Sequence, residues 1–146
     1  KKCAVLMGDV GTGKSYGAMA FFINIIEAVI EKDDVKNMQG KFITAYELAE
    51  LISRKEYVKL DRLKKVKVLF LDELGTEPEG WKGKDFQAHF ENMFNSRYES
   101  GLITIVVTNF TPDKLAEHYG DRFSSRLAQY GQGFSTKDID FRRKKG

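Results

Sequence analysis

Residues 3–7, CAVLM, form a short unbroken apolar run, the pattern of a strand buried on both faces. From Ser15 to Glu31 the apolar positions Ala18, Phe21, Phe22, Ile25, Ile26 and Val29 recur at helical spacing. KFITA, 41–45, predicts a second strand, followed by a helix through Glu47, Leu48, Leu51 and Ile52. VKVLFLD, 66–72, predicts a third strand. Phe86, Phe90, Met93, Phe94 and Arg97–Tyr98 mark a further amphipathic helix, which Gly101 closes in the position of a C-terminal cap. LITIVVT, 102–108, is β-branched and apolar, a fourth and central strand. Pro112 opens a short helix to about His118, Asp121 to Tyr130 reads as another, and QGFST, 132–136, as a last short strand. Strands alternating with helices require right-handed crossovers. The expectation is an α/β fold, a parallel five-stranded sheet with helices on both faces. The chain has no repeat, low-complexity segment or internal linker.

Composition changes this picture little. At 146 residues, 42% hydrophobic and 31% charged, the chain suits one soluble globular domain with a core of its own. No apolar run is long enough to span a bilayer and no signal peptide is visible, so no membrane partner is expected. The single cysteine, Cys3, has no partner for an internal disulfide and reads as a small core residue. These features suit the cytoplasm. A net charge of +3 permits nucleic acid as a partner without arguing for it. The chain opens at Lys1, without a methionine, and a strand starts almost at once. Residues 1–146 are therefore expected to be one domain cut from a longer chain, without its N-terminal partner-binding region.

The chemistry enters at residues 8–15. Gly8-Asp9-Val10-Gly11-Thr12-Gly13-Lys14-Ser15 fits G-x-x-x-x-G-K-[ST] and lies between a predicted strand and a predicted helix, the context that a phosphate-binding loop needs. Glycines let the backbone curl so that successive N–H groups point at an anion, and the helix starting near Lys14 adds its positive end. In that setting Lys14 reaches the β- and γ-phosphates and the Ser15 hydroxyl ligates Mg²⁺. Tyr16, next in the chain, completes the expected nucleotide-binding stretch. A chance match is rare, on the order of one in a hundred chains of this size or fewer.

A phosphate loop binds nucleotide whether or not the nucleotide then reacts. In VLFLDELG, 68–75, Asp72 ends an apolar strand, where an acid can hold magnesium opposite Ser15, and Glu73 is placed to polarise a water for attack on the γ-phosphate. A phosphotransferase would need an acceptor pocket and a lid carrying arginines, and neither is visible. Hydrolysis by water is the better expectation. Thr108-Asn109 ends the neighbouring strand, so Asn109 can orient that water, although an asparagine there, taken alone, is more often a turn residue. Arg122 and Arg126 lie one helical turn apart, on one face, as a solvated pair or as an arginine finger reaching a neighbour's nucleotide.

Gly8–Ser15, LFLDELGTE (69–77), Trp81, FNSRYESGLITIVVTNF (94–110) and YGDRFSSRL (119–127) together resemble the AAA+ ATPase domain of DnaC/DnaI-type replicative helicase loaders. IstB-type transposition helper ATPases share much of the pattern. The resemblance implies a P-loop NTPase fold of the AAA+ type, with ATP or ADP and Mg²⁺ as cofactors. It makes Lys14 and Ser15 the Walker A pair, Asp72 and Glu73 the Walker B pair, Asn109 sensor 1 and Arg122 a finger acting in trans, supported by Arg126. Arg142 or Arg143 would offer sensor 2, and the sequence does not choose between them. Little chain remains after residue 130, so the usual helical lid is expected to be reduced or absent.

The implied partners are a replicative helicase, single-stranded DNA and further copies of the chain. A finger supplied in trans requires head-to-tail contacts, which build spirals or rings. In SRKEYVKLDRLKKVKV, 53–68, Arg54, Lys55, Lys59, Arg62, Lys64, Lys65 and Lys67 face only Glu56 and Asp61 within the run. In initiator-type relatives an insertion here lines a DNA channel, with Tyr57 as a possible stacking platform. Charge runs are more often solvated faces, and the same holds for RRKK, 142–145. His89 has no second ligand at metal spacing, His118 reads as a capping or surface residue, and Trp81 either packs beneath its loop or anchors a partner. Two alternatives stand beside the loader: a transposition helper acting on duplex DNA, and a nucleotide-dependent switch with negligible turnover.

Overall fold

A computed structural model of the chain describes residues 3–7, 20, 24, 40–77 and 84–135. Five strands, β1 (Cys3–Met7), β2 (Gly40–Thr44), β3 (Val68–Leu74), β4 (Ile103–Thr108) and β5 (Gly131–Ser135), form one sheet in the order β2-β3-β4-β1-β5. Every pairing is parallel. Five helices accompany it among the described residues: α1 (Ala45–Ser53), α2 (Tyr57–Lys65), α3 (Lys84–Glu99), α4 (Pro112–Tyr119) and α5 (Asp121–Tyr130). Within the predicted first helix, Ala20 and Asn24 are helical and exposed, one turn apart and off its apolar positions.

The α/β expectation holds, and the reason is visible in β3. Val68, Leu69, Phe70 and Leu71 are all fully buried, so both sheet faces are covered, as an all-parallel sheet demands. Leu69, Leu71 and Val106 share one core with α1 residues Leu48 and Ala49, α2 residues Leu60 and Leu63, and an aromatic cluster. In that cluster Phe90 of α3 meets Phe123 of α5 edge-on at 4.9 Å and stacks on Phe86, Phe94 and Tyr119 at 6.0–6.2 Å. Truncating such a ring to alanine costs about 3–5 kcal/mol.

Local signals set the element ends. Thr44 and Glu47 form a reciprocal capping box that starts α1: Thr44 Oγ1 accepts from the Glu47 N–H at 3.1 Å, and Glu47 Oε2 from the Thr44 N–H at 2.9 Å. Thr111 caps α4 ahead of Pro112. Gly101, with φ +68°, closes α3 as expected: its N–H donates to Tyr98 O and that of Leu102 to Arg97 O, the paired bonds of a Schellman motif.

Three details depart from the sequence reading. The basic run at 53–68, where a solvated helix pair is one expectation, forms a helix, α2, that is not solvated all round: Leu60 and Leu63 give it a buried stripe beneath the charges. Strand β3 runs on to Leu74 rather than ending at Asp72. Arg97, expected only as part of a helix pattern, is completely buried. Its guanidinium donates to Leu63 O, Val66 O, Ile103 O and Thr104 Oγ1 at 2.6–2.9 Å, joining the end of α2 to the entries of β3 and β4.

Candidate nucleotide site

In a parallel sheet all strands deliver their C-terminal ends to one edge, where ligands bind. Met7, the last residue of β1, pairs with Thr108, the last of β4, and β4 lies beside β3. The end of β1 at Met7, the Asp72–Glu73 pair of β3 and Asn109 after β4 therefore stand at the same edge of three adjacent strands. The predicted phosphate loop itself (Gly8, Asp9, Val10, Gly11, Thr12, Gly13, Lys14, Ser15 and Tyr16) lies outside the described residues, as do Trp81, Arg142 and Arg143.

Glu73 leaves the strand in an unusual way. Leu71 pairs with Val106 and Leu74 with Thr108, so Asp72 and Glu73 together oppose one residue, Val107. That is a β-bulge, and Glu73 sits in it at φ +57°, left-handed territory for a residue with a side chain. The consequence is a change of side. Leu69 and Leu71 face the helix core, and simple alternation would send residue 73 there too. Instead Leu74 takes the core position, 1% exposed, and Glu73 is exposed at the edge. Backbone strain of this kind gathers at functional sites.

The neighbours hold the bulge. Asp72 Oδ1 accepts the Glu73 N–H at 2.9 Å. The Glu73 carbonyl accepts from Thr76 twice, from N–H at 3.1 Å and from Oγ1 at 2.8 Å. Thr108 Oγ1 donates to Leu74 O at 2.7 Å and accepts the Phe110 N–H at 3.1 Å, which ties the turn after Glu73 to the segment carrying Asn109. Gly75 is required here: at φ +107°, its missing Cβ would lie 2.7 Å from the Phe110 ring. Asp72 is largely buried, 9% exposed, and a carboxylate at this edge is the hard oxygen donor that Mg²⁺ prefers.

Arg122 and Arg126 share the exposed side of α5, near Glu91 of α3. Arg126 Nη1 is 3.5 Å from Glu91 Oε2 and its side chain is 28% exposed, whereas Arg122 Nε is 4.0 Å away with 74% of its side chain exposed. Arg126 is held against its own chain, and Arg122 projects from it.

Sequence reasoning missed a buried polar cluster behind the bulge. Glu77 lies 6% exposed, its Oε1 accepting the Tyr119 hydroxyl. Its Oε2 has no hydrogen-bond partner among the described residues, and His118 Nε2 stands 3.8 Å away. His118 is thus no surface cap: it is half-buried, edge-on to Phe110 and Tyr119. Burial, and then the Glu77 charge and its hydrogen bond, push the Tyr119 phenol far above its ordinary value. The signal was the acid in LGTE, visible only as one of several in an acidic loop.

In and just before α2, several predicted DNA-facing cations are already engaged. Lys59 pairs with Glu56 at 2.6 Å, Lys65 with Asp61 at 2.7 Å and Arg54 with Glu50 at 3.3 Å. Lys55, Arg62 and the aromatic Tyr57 are exposed, the last at 56%, around a shallow depression of ≈ 400 Å³. No helix of the described residues is long and apolar enough to cross a membrane.

No family model matches the sequence, and no curated protein matches it. Solved structures do. The DnaC helicase loader aligns over 92% of this chain and 77% of its own at 22% identity, with a TM-score of 0.65. DnaI aligns over 92% and 73% at 24% identity, TM-score 0.68. The replication initiator DnaA bound to AMPPCP and single-stranded DNA aligns over 92% and 40% at 20% identity, TM-score 0.70. At these identities the likeness shows the fold alone, the parallel α/β fold that this chain shares with those structures and that the resemblance implied.

Proposed function

We propose that this chain is the ATP-binding and ATP-hydrolysing domain of a DNA replication protein that loads a replicative helicase onto single-stranded DNA. The observation that carries the reading is the bulge in β3, which turns Glu73 out of the core at the edge where the phosphate-loop sequence begins and Asn109 emerges. The fold shared with DnaC and DnaI supports it.

In this reading the backbone of residues 8–15 and Lys14 hold the β- and γ-phosphates. Mg²⁺, held by Asp72 and Ser15, would neutralise charge on the phosphate oxygens. Glu73 takes up the proton of the attacking water, and Asn109 orients that water by hydrogen bonding. Arg122 reaches the γ-phosphate of the next copy in a head-to-tail array, while Arg126, paired with Glu91, stiffens the helix that carries it. Lys55, Arg62 and Tyr57 offer phosphate-binding and stacking groups to a single strand. The replication role places the protein in the cytoplasm.

The test is steady-state ATP hydrolysis against protein concentration, with single-stranded and duplex DNA compared. Specific activity should climb with concentration and further with single strands, and Glu73→Gln should bind nucleotide but not turn it over. Stimulation by duplex alone would favour the transposition helper. A low rate, flat with concentration and blind to DNA, would overturn the loader reading in favour of a switch.

A further inference from the structure

Glu73, Asn109 and Arg122 come from separate elements, yet one side chain touches the turn after Glu73 and the helix carrying Arg122, and its neighbour His118 touches the segment carrying Asn109. Tyr119 ends α4, three residues before Arg122. Its hydroxyl donates to Glu77, four residues beyond Glu73. Its main-chain carbonyl accepts Gln87 Nε2 of α3, and its ring stacks on Phe90 and lies 5.0 Å from Phe123 of α5. On its other side His118 rests edge-on against Phe110, next to Asn109 and directly over Gly75.

We propose that Tyr119 is a positioning residue, its hydroxyl locking the turn that carries Glu73 to the helix pair that carries Arg122. The inference rests on the ATPase reading above. A phenol suits the task. It is rigid, it spans from the aromatic core to the turn, and it gives one donor to Glu77. A carboxylate buried to 6% exposure persists only where such a donor reaches it. Because the turn runs Glu73-Leu74-Gly75-Thr76-Glu77, fixing Glu77 at its far end constrains the direction in which the Glu73 carboxylate leaves the bulge. The same bond sets the end of α4, and through Gly120 the start of α5. Hydrolytic water in one copy and finger in the next are thereby referred to a common frame.

The test measures kcat, KM, nucleotide affinity and melting temperature for the whole chain and its variants. Tyr119→Phe removes the hydroxyl and leaves the Glu77 charge buried, so both turnover and melting temperature should fall. Combining it with Glu77→Leu removes that charge, and the melting temperature should return while the tie from α4 to the turn does not. In this double variant KM and nucleotide affinity should stay within about twofold, with kcat still about tenfold or more below the parent, the scale of a small misplacement of a catalytic group. Glu77→Gln, which still offers the phenol an oxygen, should keep most of the turnover. Recovery of kcat together with the melting temperature would overturn the positioning role. So would a Glu77→Gln variant as slow as Tyr119→Phe. Either result leaves the ATPase reading intact if Glu73→Gln is inactive in the same assay. A parent chain no faster than Glu73→Gln would overturn both.

Discussion

The left-handed backbone at Glu73 makes a prediction in which stability and activity part company. A residue with a Cβ at φ near +57° pays about 1–2 kcal/mol relative to glycine, from the approach of Cβ to its own backbone. Glycine recovers that cost but loses about 0.5–1 kcal/mol through the greater freedom of its unfolded chain. The Glu73 side chain is exposed, and the bulge is held through its backbone N–H and carbonyl, which glycine keeps. Glu73→Gly should therefore be more stable than Glu73→Ala by about 0.5–1 kcal/mol, while both lose turnover alike. In a domain of this size that is a melting-temperature gain of about 1–4 °C. A control, Lys114→Gly on the exposed face of α4, should lose about 1 kcal/mol. Urea unfolding of the three variants, with ATP turnover measured in parallel, checks the reasoning. A Glu73→Gly chain no more stable than Glu73→Ala would mean that the bulge stores no strain, and the link between strain and site would be refuted.

Two further outcomes arise from buried polar groups. Arg97→Met strands the carbonyls of Leu63, Val66 and Ile103 in the interior and should cost about 3–5 kcal/mol in urea unfolding; Arg97→Lys should recover little, since an ammonium cannot reproduce the fork. A loss below about 1 kcal/mol for Arg97→Met would show that those carbonyls find other partners. Tyr119 bears on alkaline stability. Its folded-state pKa lies above the 10.0 of an ordinary phenol, so the folded chain holds the proton more tightly than the unfolded one. Its contribution is complete below 10.0 and drains away as pH rises beyond it, at up to about 1.4 kcal/mol per pH unit. The stability gap between the parent and Tyr119→Phe should thus narrow above pH 10.0, because the other tyrosines and the lysines titrate alike in both; a gap constant with pH would show that the phenol is not buried against a charge.

Sequence patterns made legible whatever repeats locally. Strand β4 and helix α5 follow from apolar runs and helical spacing, and Gly101 from its place after Glu99. Placement of Asp72, Glu73 and Asn109 at one sheet edge follows from parallel topology. The missed features depend on contacts distant in sequence. Helix α2 hides its two buried leucines among charges, and no spacing rule says that His118 will turn inward to Glu77. The bulge did leave a trace: Leu69, Leu71 and Leu74 break the period of two. Reading it requires knowing that Leu74, and not residue 73, belongs to the core.

Two buried polar side chains, Arg97 and Thr108, bond to carbonyls at opposite ends of the β3–β4 pair and fix its register. A one-residue slip between β3 and β4 would move every side chain to the wrong face. At the entry, Arg97 grips Val66 O and Ile103 O while the Ile103 N–H donates to Lys67 O, so Val68 must pair with Ile103. Four regular pairs then run to Leu71. At the exit, Thr108 Oγ1 takes Leu74 O, which leaves Asp72 and Glu73 only Val107 to oppose. The extra residue has to be expelled at that point, because both neighbouring registers are pinned. The position of Glu73 is thus fixed by side chains at the ends of the strand pair, none of which would touch nucleotide in the proposed site.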